Sequence, residues 1–240
     1  LGSAGDGRVV ELLLPVVKNG KSDAELRRQA TRSLATVRKG AQELIALAKS
    51  GALSPELVSA ASFQLHAAPW NEVKEAAVEL FPLPAAKDKA LPAISDLVKS
   101  KGDAGRGTQV FVKTAECAKC HVVRGEGKEV GPNLSEIGSK LSRQALFESI
   151  LYPSAGISHS YETYVLTTVD GNAATGILVS ETPEAVTLKS ADALVRTYKR
   201  AEIDSFVKQS ISLMPADIQK TMTTQDLIDV VEYLASLRKN

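Results

Sequence analysis

Apolar residues recur at spacings of three and four through most of residues 8–81, with short polar breaks between the stretches. This period predicts a series of amphipathic helices and shows no strand signal. The first helix would end at Asn19-Gly20, and its predicted apolar stripe is Val9, Leu12, Leu13 and Val16. Asp23 would cap a second helix, whose predicted apolar positions are Leu26, Ala30, Leu34 and Val37.

Three further helices are predicted in this half of the chain. A third helix is predicted over 42–49, and Ser54-Pro55-Glu56 opens a fourth, because it places a cap residue, a proline and an acid in order. Residues 71–80 form the last. The series resembles HEAT-type helix pairs on Leu13-Leu14-Pro15 and then Asp23, Leu26-Arg27, Ala30 and Leu34. An ordinary helical bundle is the alternative, and either would be a scaffold.

The character of the sequence changes near residue 101. A proline-rich linker over 81–92 and a short helix over 93–101 lead to Gly102, Gly105 and Gly107. We therefore predict two domains, a helical scaffold with its linker over 1–101 and a second domain over 102–240.

The second domain is predicted to be helical with a β insertion at about 160–210. Residues 161–169 are rich in β-branched and aromatic residues, and Asp170-Gly171 is a hairpin signal before a return strand over 175–180. Short strands are also predicted over 185–189, 194–199 and 203–207. Four or five such strands can close into a small SH3-like barrel. The predicted class is thus mainly α with a small β insertion.

Composition narrows the function. The chain has 240 residues, 44% of them hydrophobic and 24% charged, with a formal net charge of +1. This composition is that of a globular protein, and no apolar run is long enough for a membrane span. Residues 1–101 carry a charge of +3 and residues 102–240 one of −2, so neither half indicates nucleic-acid binding. Residues 1–7 contain no signal-peptide pattern, so we expect any signal to lie outside this sequence.

The two cysteines form one motif, Cys117-Ala-Lys-Cys120-His121, which is the C-x-x-C-H attachment sequence for c-type haem. Two thiols three residues apart can each add to a porphyrin vinyl group, and the adjacent imidazole can bind the iron. A structural zinc site needs four ligands, commonly in two pairs, and His66 and His159 have no paired spacing. A thioredoxin-like dithiol would follow a strand, whereas residues 107–114 read as a helix.

The surroundings of the motif resemble class I cytochromes c. In that class, a Gly and an aromatic residue such as Gly107 and Phe111 lie where the first and last helices cross, and residues 225–238 would be the last helix. Gly131-Pro132 falls where those proteins use the proline carbonyl to orient the haem His. The distal ligand would be Met214, which precedes Pro215 in the loop before the final helix. His159 and an open distal site are the alternatives.

Residues 105–238 also resemble a haem-binding domain of the planctomycete and verrucomicrobial type, found at the C-terminus of large dehydrogenases. The residues that carry this resemblance are Cys117 to His121, Gly131 to Leu134, Glu148 to Ser154, Tyr161 to Tyr164, Asp170-Gly171, Thr175-Gly176, Ser212 to Pro215 and Asp226-Leu227. In that family the domain often follows HEAT-like repeats.

These resemblances imply an electron carrier with one covalent haem c, held by Cys117 and Cys120 and ligated by His121 and Met214. Its partner would be a redox protein or a dehydrogenase, bound or upstream in the same chain. Because such haem is attached outside the cytoplasmic membrane, we expect a periplasmic or exported protein. A haem-based gas or redox sensor is the alternative, and a haem peroxidase using His159 is a weaker one.

Overall fold

Helices occupy the N-terminal part of the computed structural model, which describes residues 8–239. The expectation drawn from residues 1–7 lies outside this range. The described residues divide into two compact units: the first runs to Ala85 and includes Ala90–Lys99, and the second comprises Ala86–Lys89 and the chain from Ser100 onward. The first unit contains α1 (Arg8–Lys18), α2 (Ala24–Ala35), α3 (Arg38–Lys49), α4 (Pro55–Ala67), α5 (Asn71–Leu80) and α6 (Ile94–Lys99).

The helices of the first unit pack in two layers. Contacts join α1 to α3 and α3 to α5 in one layer, and α2 to α4 and α4 to α6 in the other. Contacts between α1 and α2, α2 and α3, and α4 and α5 connect the layers. Leu34, Leu44, Leu57 and Leu65 are fully buried between them. Stacked helix pairs pack in this manner, and the HEAT-like character of the repeat stays a prediction.

Two of the predicted apolar stripes are wrong in part. Leu12 and Leu26 have exposed fractions of 59% and 54%. The predicted Val9 is buried, and α1 also buries Val10 and Val17, which were not predicted. The residue of α2 that turns inward beside Ala30 is Arg27. Hydrophobic periodicity assigns every Arg to the exposed face of a helix. It therefore predicts the wrong buried face for a helix whose Arg is buried and hydrogen-bonded.

Arg27 ties three helices together. Its guanidinium donates to the carbonyl of Val17 at the end of α1, through Nη2 at 3.0 Å and Nε at 3.2 Å. It also pairs with the carboxylate of Glu56 and donates to Ser54 Oγ at 2.7 Å, both at the start of α4. Ser54 therefore makes no side-chain cap of α4, whereas the predicted Asp23 cap of α2 is confirmed by its bond from the Leu26 N–H.

The second unit contains α7 (Ala104–Gln109), α8 (Ile137–Lys140), α9 (Arg143–Leu151) and α10 (Thr224–Ser236). A π-helical turn, Val110–Thr114, continues α7. Where α7 meets α10, a Cβ on Gly107 would lie 2.1 Å from the Asp229 carbonyl oxygen, so only glycine permits the approach. Phe111 packs edge-on against Tyr233, with ring centroids 5.6 Å apart.

A buried carboxylate locks this crossing. Asp229 of α10 accepts the Asp103 backbone N–H at 2.8 Å and the Arg106 Nε–H at 2.8 Å. Although burial opposes ionisation, the pKa of Asp229 lies below its ordinary value, because these donors stabilise the carboxylate.

The linker segment Ala86–Lys89 belongs to the second unit. Asp88 accepts the backbone N–H of Thr224 at 2.9 Å, and this bond is the main reason that the pKa of Asp88 is lowered. Lys87 donates its backbone N–H to the Met222 carbonyl at 2.8 Å. Thr223 and Asp226 form a capping box at the same helix start. The start of α10 is thus stabilised both by its own capping box and by hydrogen bonds from the linker segment.

The inserted strands form one antiparallel sheet in the order β4-β3-β2-β1-β5. They are β1 (Thr163–Thr168), β2 (Ala173–Glu181), β3 (Ala185–Lys189), β4 (Val195–Lys199) and β5 (Ile203–Lys208). The predicted hairpin at Asp170-Gly171 is present, with Gly171 at a φ of +85°. The predicted barrel is not: the sheet is open, with β4 and β5 at its edges.

No helix within residues 8–239 combines the length and the apolar character needed to cross a lipid bilayer.

Replacing Arg27 by Met is expected to lower the free energy of unfolding of the first unit by about 2 kcal/mol. The substitution leaves the Val17 carbonyl and Glu56 without their shared donor. Chemical denaturation followed by circular dichroism measures the effect. Arg38→Met is the matched control, because Arg38 pairs with Glu72 on the surface, where such pairs contribute little. Equal effects of the two substitutions would contradict the assigned role of Arg27.

Replacing Gly107 by Ala is expected to force α7 and α10 apart and to destabilise the second unit by about 2 kcal/mol or more. Gly105→Ala in the same helix is the control, because its Cβ would meet only the Asp103 side chain, at 3.2 Å. That control should be neutral or stabilising, since alanine favours a helix over glycine. Thermal denaturation of both variants compares them.

Candidate functional site

One tight turn presents the Cys-x-x-Cys-His motif. The turn is a 3-10 helix, Cys117–Lys119, in which the Cys117 carbonyl accepts N–H bonds from Cys120 at 3.0 Å and His121 at 2.9 Å. Before it, the π-helical turn ends at Thr114 with Ala115 as its C-cap, and Glu116 takes a left-handed conformation, with φ at +52°. As a result, Cys117, Cys120 and His121 all lie on or directly after one helical turn.

Both thiols are free and half-buried. Burial raises the pKa of Cys117 to about 12 and also raises that of Cys120. For Cys120, Lys128 and Lys119 partly oppose the shift. The two side chains are therefore neutral thiols at neutral pH, and they are not joined to each other.

The imidazole of His121 is held by a carbonyl. His121 Nδ1 lies 2.8 Å from the Pro132 oxygen. Because a carbonyl only accepts, Nδ1 carries the proton and Nε2 keeps its lone pair. Burial lowers the pKa of His121, although the bond to Pro132 opposes the shift. The ring is thus a neutral ligand in a fixed tautomer, as metal binding requires.

A returning loop brings Pro132 to the ring. The Cys120 carbonyl accepts N–H bonds from Val130 at 3.0 Å and Gly131 at 2.7 Å. A Cβ on Gly131 would lie 2.5 Å from His121 Cε1, so the backbone packs directly on the imidazole. Gly127, at a φ of +109°, passes so close to the His121 carbonyl oxygen that its Cβ would lie at 2.2 Å.

Sequence reasoning identified Gly131 and Pro132 but missed Gly127. The available signal was the pair of glycines in Arg124-Gly-Glu-Gly127, since closely spaced glycines indicate a turn with positive φ. Both Gly125 and Gly127 have positive φ in the structure.

Met214 lies in an irregular segment between β5 and the 3-10 helix Ile218–Thr221, and it is half-buried. Its backbone N–H donates to Ser212 Oγ at 3.1 Å, and the Ser212 N–H donates to Ser154 Oγ at 3.0 Å. The contacts within residues 8–239 join Cys120, His121, Gly131 and Pro132 into one cluster. No hydrogen bond in that range joins Met214 to it.

The other candidate ligands lie in different surroundings. The side chain of His159 is 96% exposed, and its Nδ1 is 3.7 Å from Glu162 Oε1. Met222, in contrast, is fully buried beside the start of α10. Among the described residues, no three His, Cys, Asp or Glu side chains converge on a point where they could bind a bare metal ion.

The donor set at this turn fits a covalent haem. It supplies two free thiols at the required spacing and one neutral imidazole whose Nε2 is left to bind iron. The glycine against the ring leaves no side chain there to displace the imidazole. Cys117, Cys120 and His121 are the residues that would hold the group.

Replacing Gly131 by Ala is expected to push the imidazole away from Pro132, because the new methyl group would overlap Cε1. We expect the yield of haem-bearing protein to fall at least several-fold. Where haem is still bound, the absorption spectrum should shift, because the His121 ligand to the iron is displaced. Gly20→Ala, whose Cβ would meet nothing within 4 Å, is the control. An unchanged yield and spectrum for Gly131→Ala would show that the loop does not position His121.

Comparison with known protein families places the motif in a recognised domain. The family model for cytochrome c matches residues 104–178, which include Cys117, Cys120, His121 and Pro132. A comparison with curated proteins gives no match. The match supports a c-type cytochrome domain with a haem-binding, electron-transfer role, and the family implies covalently bound haem c. Domains of this family are typically exported.

Proposed function

We propose that residues 102–240 form a one-electron carrier with a single haem c, bound through Cys117 and Cys120 and ligated by His121 and Met214. The observation that carries the proposal is the 2.8 Å contact from His121 Nδ1 to the Pro132 carbonyl, beside two free thiols. The contact leaves Nε2 of the imidazole to bind iron, and it occurs directly after two free thiols at the attachment spacing.

The haem supplies a reversible Fe(III)/Fe(II) couple, and the protein adjusts its potential through ligands and burial. His121 holds its tautomer through Pro132, which makes Nε2 the more basic nitrogen and favours a strong proximal bond. The Gly131 backbone packs on the imidazole and fixes the ring plane, and Gly127 lets the loop pass close to the His121 carbonyl oxygen. Electron transfer needs little else from the chain, since no substrate bond is made or broken.

Met214 is the better supported distal ligand. Its segment is anchored through Ser212 to Ser154, so a half-buried thioether is held in a defined place. His159 has an almost fully exposed side chain beside Glu162, and would have to leave that position to reach a buried iron. A methionine ligand favours a higher potential than a second histidine.

The partner proposed for this carrier is a dehydrogenase or another redox protein, either bound or upstream in the same chain. The proposal rests on the resemblance of residues 105–238 to the haem-binding domains of large dehydrogenases. Thioether attachment occurs outside the cytoplasmic membrane, so we place the protein in the periplasm or beyond it. The helical first unit, with its HEAT-like pattern, would serve as a scaffold.

Absorption spectra of the oxidised and reduced protein, together with its intact mass, test haem, covalency and coordination at once. We expect a mass increase of one haem and a low-spin spectrum with a band from methionine bound to ferric iron. A mass equal to the bare chain would overturn the proposal. Rapid CO binding by the ferrous protein would instead favour a sensor with an open distal site.

Replacing Met214 by Ala is expected to abolish the methionine-to-iron band while the mass still shows one covalent haem. The reduction potential should fall, because the thioether favours the ferrous state. Met222→Leu is the matched control: it changes the second methionine, which is buried in the protein core, and should leave the spectrum unchanged. If Met214→Ala keeps the band, the ligand assignment is wrong.

A further inference from the structure

A lysine at the end of a central strand links the inserted sheet to the loop that holds His121. Lys189 is the last residue of β3, and its Nζ donates to the Glu129 carbonyl at 2.7 Å, although 60 residues separate the two in the sequence. Glu129 lies two residues before Gly131, whose backbone packs on the imidazole. Because an ammonium group only donates, the bond brings a positive charge against a carbonyl oxygen of the loop, and such bonds are stronger than neutral ones.

The backbone of Lys189 is held by strands on both of its sides. It pairs with Ile177 of β2 and with Val195 of β4. A Cβ on Gly176 would lie 2.6 Å from the Lys189 carbonyl oxygen, so β2 packs closely against this residue. The ammonium group therefore extends from a strand that is paired along both edges. A side chain with such a fixed base can hold a loop in place.

Three hydrogen bonds in series lead from Lys189 to the turn that carries the thiols. The carbonyl that accepts from Lys189 belongs to the same peptide unit as the Val130 N–H, which donates to the Cys120 carbonyl at 3.0 Å. That carbonyl shares its peptide unit with the His121 N–H, which donates to the first carbonyl of the 3-10 turn at 2.9 Å. Hydrogen bonds in such a chain polarise and strengthen one another. The charge on Lys189 therefore strengthens the bonds that hold the returning loop against the turn.

We propose that Lys189 is a positioning residue for the iron ligand: it fixes the Glu129–Val130 peptide and, through it, the loop that orients His121. The inference rests on the proposed function and assigns a role to the inserted sheet. The sheet does not need to touch the haem for this role, because the bonds within the loop and the turn transmit its position. Without the Lys189 bond the loop gains freedom, and the imidazole plane is less narrowly fixed, since Gly131 packs on that ring.

A second lysine of the sheet provides a matched control for the loss of charge. Lys199 ends β4 as Lys189 ends β3, and its side chain is 79% exposed, with Nζ 3.9 Å from Glu202 Oε1 within the same insertion. Lys199→Met therefore removes one positive charge from the same sheet and leaves the Lys189 bond to Glu129 intact. A difference between the two lysine variants reports the bond to the loop.

The experiment compares the full haem-bearing chain of wild type, Lys189→Met, Lys189→Arg and Lys199→Met by NMR. In Lys189→Met, hydrogen exchange of the Val130 amide should become about fivefold faster, the size expected for the loss of one hydrogen bond. The haem methyl resonances of the ferric protein should also shift, because their spread follows the orientation of the axial imidazole. Lys189→Arg keeps a charged donor and should restore most of both signals, whereas Lys199→Met should match wild type.

Unchanged exchange of the Val130 amide in Lys189→Met would overturn the inference, as would equal changes in Lys199→Met, which would indicate an effect of charge alone. Faster exchange with unchanged methyl resonances would also overturn it, because the bond would then not reach His121. A wild-type mass without haem would instead refute the proposed function, while the exchange of Val130 would still report on the Lys189 bond, so the two failures are distinguishable.

Discussion

The hydrogen bond between His121 Nδ1 and the Pro132 carbonyl is the constraint around which the second unit is arranged. It can form only if the chain returns to the turn that it has just left, within eleven residues. The Cys120 carbonyl accepts N–H bonds from Val130 and Gly131 of the returning loop, and Gly127 permits the close passage of its backbone. Burial and this bond have opposite effects on the pKa of His121, and burial prevails, which leaves a neutral ring. Orientation and protonation state thus follow from one local geometry.

The position of the Cys117–Lys119 turn depends on the crossing of α7 and α10. Gly107 lets the two backbones approach, and the π-helical turn after α7 redirects the chain so that Cys117 begins a new turn instead of another helical one. Such π turns are uncommon and tend to occur near functional sites. Because Asp229 bonds both the Asp103 N–H and Arg106, the start of α7 is fixed against α10 before the motif is reached.

Local signals in the sequence were sufficient for the motif, the Gly131-Pro132 loop, the Asp23 cap and the strands of the insertion. Features that depend on distant partners were not predictable in this way. Arg27 is buried because the Val17 carbonyl and Glu56 lie on other helices, and hydrophobic periodicity cannot register such partners. Asp88 read as part of a linker, yet it bonds Thr224, 136 residues away. A closed barrel would likewise require β4 and β5 to pair at the sheet edges. The alternation of apolar and polar residues that predicts each strand does not show which strands pair.

The long gap between His121 and Met214 has a simple structural reason. The sheet begins and ends at neighbouring residues, because Tyr164 pairs with Lys208 and the Thr163 carbonyl accepts from Gln209. Because the two ends of the inserted sheet lie side by side, the segments before and after it stay close together although many residues separate them in the sequence. Ser154 and Ser212, which flank the sheet, are joined at 3.0 Å. The Met214 segment therefore leaves the sheet next to where the chain entered it, so a cytochrome domain can accept five additional strands while its proposed distal ligand stays tied to the segment after α9.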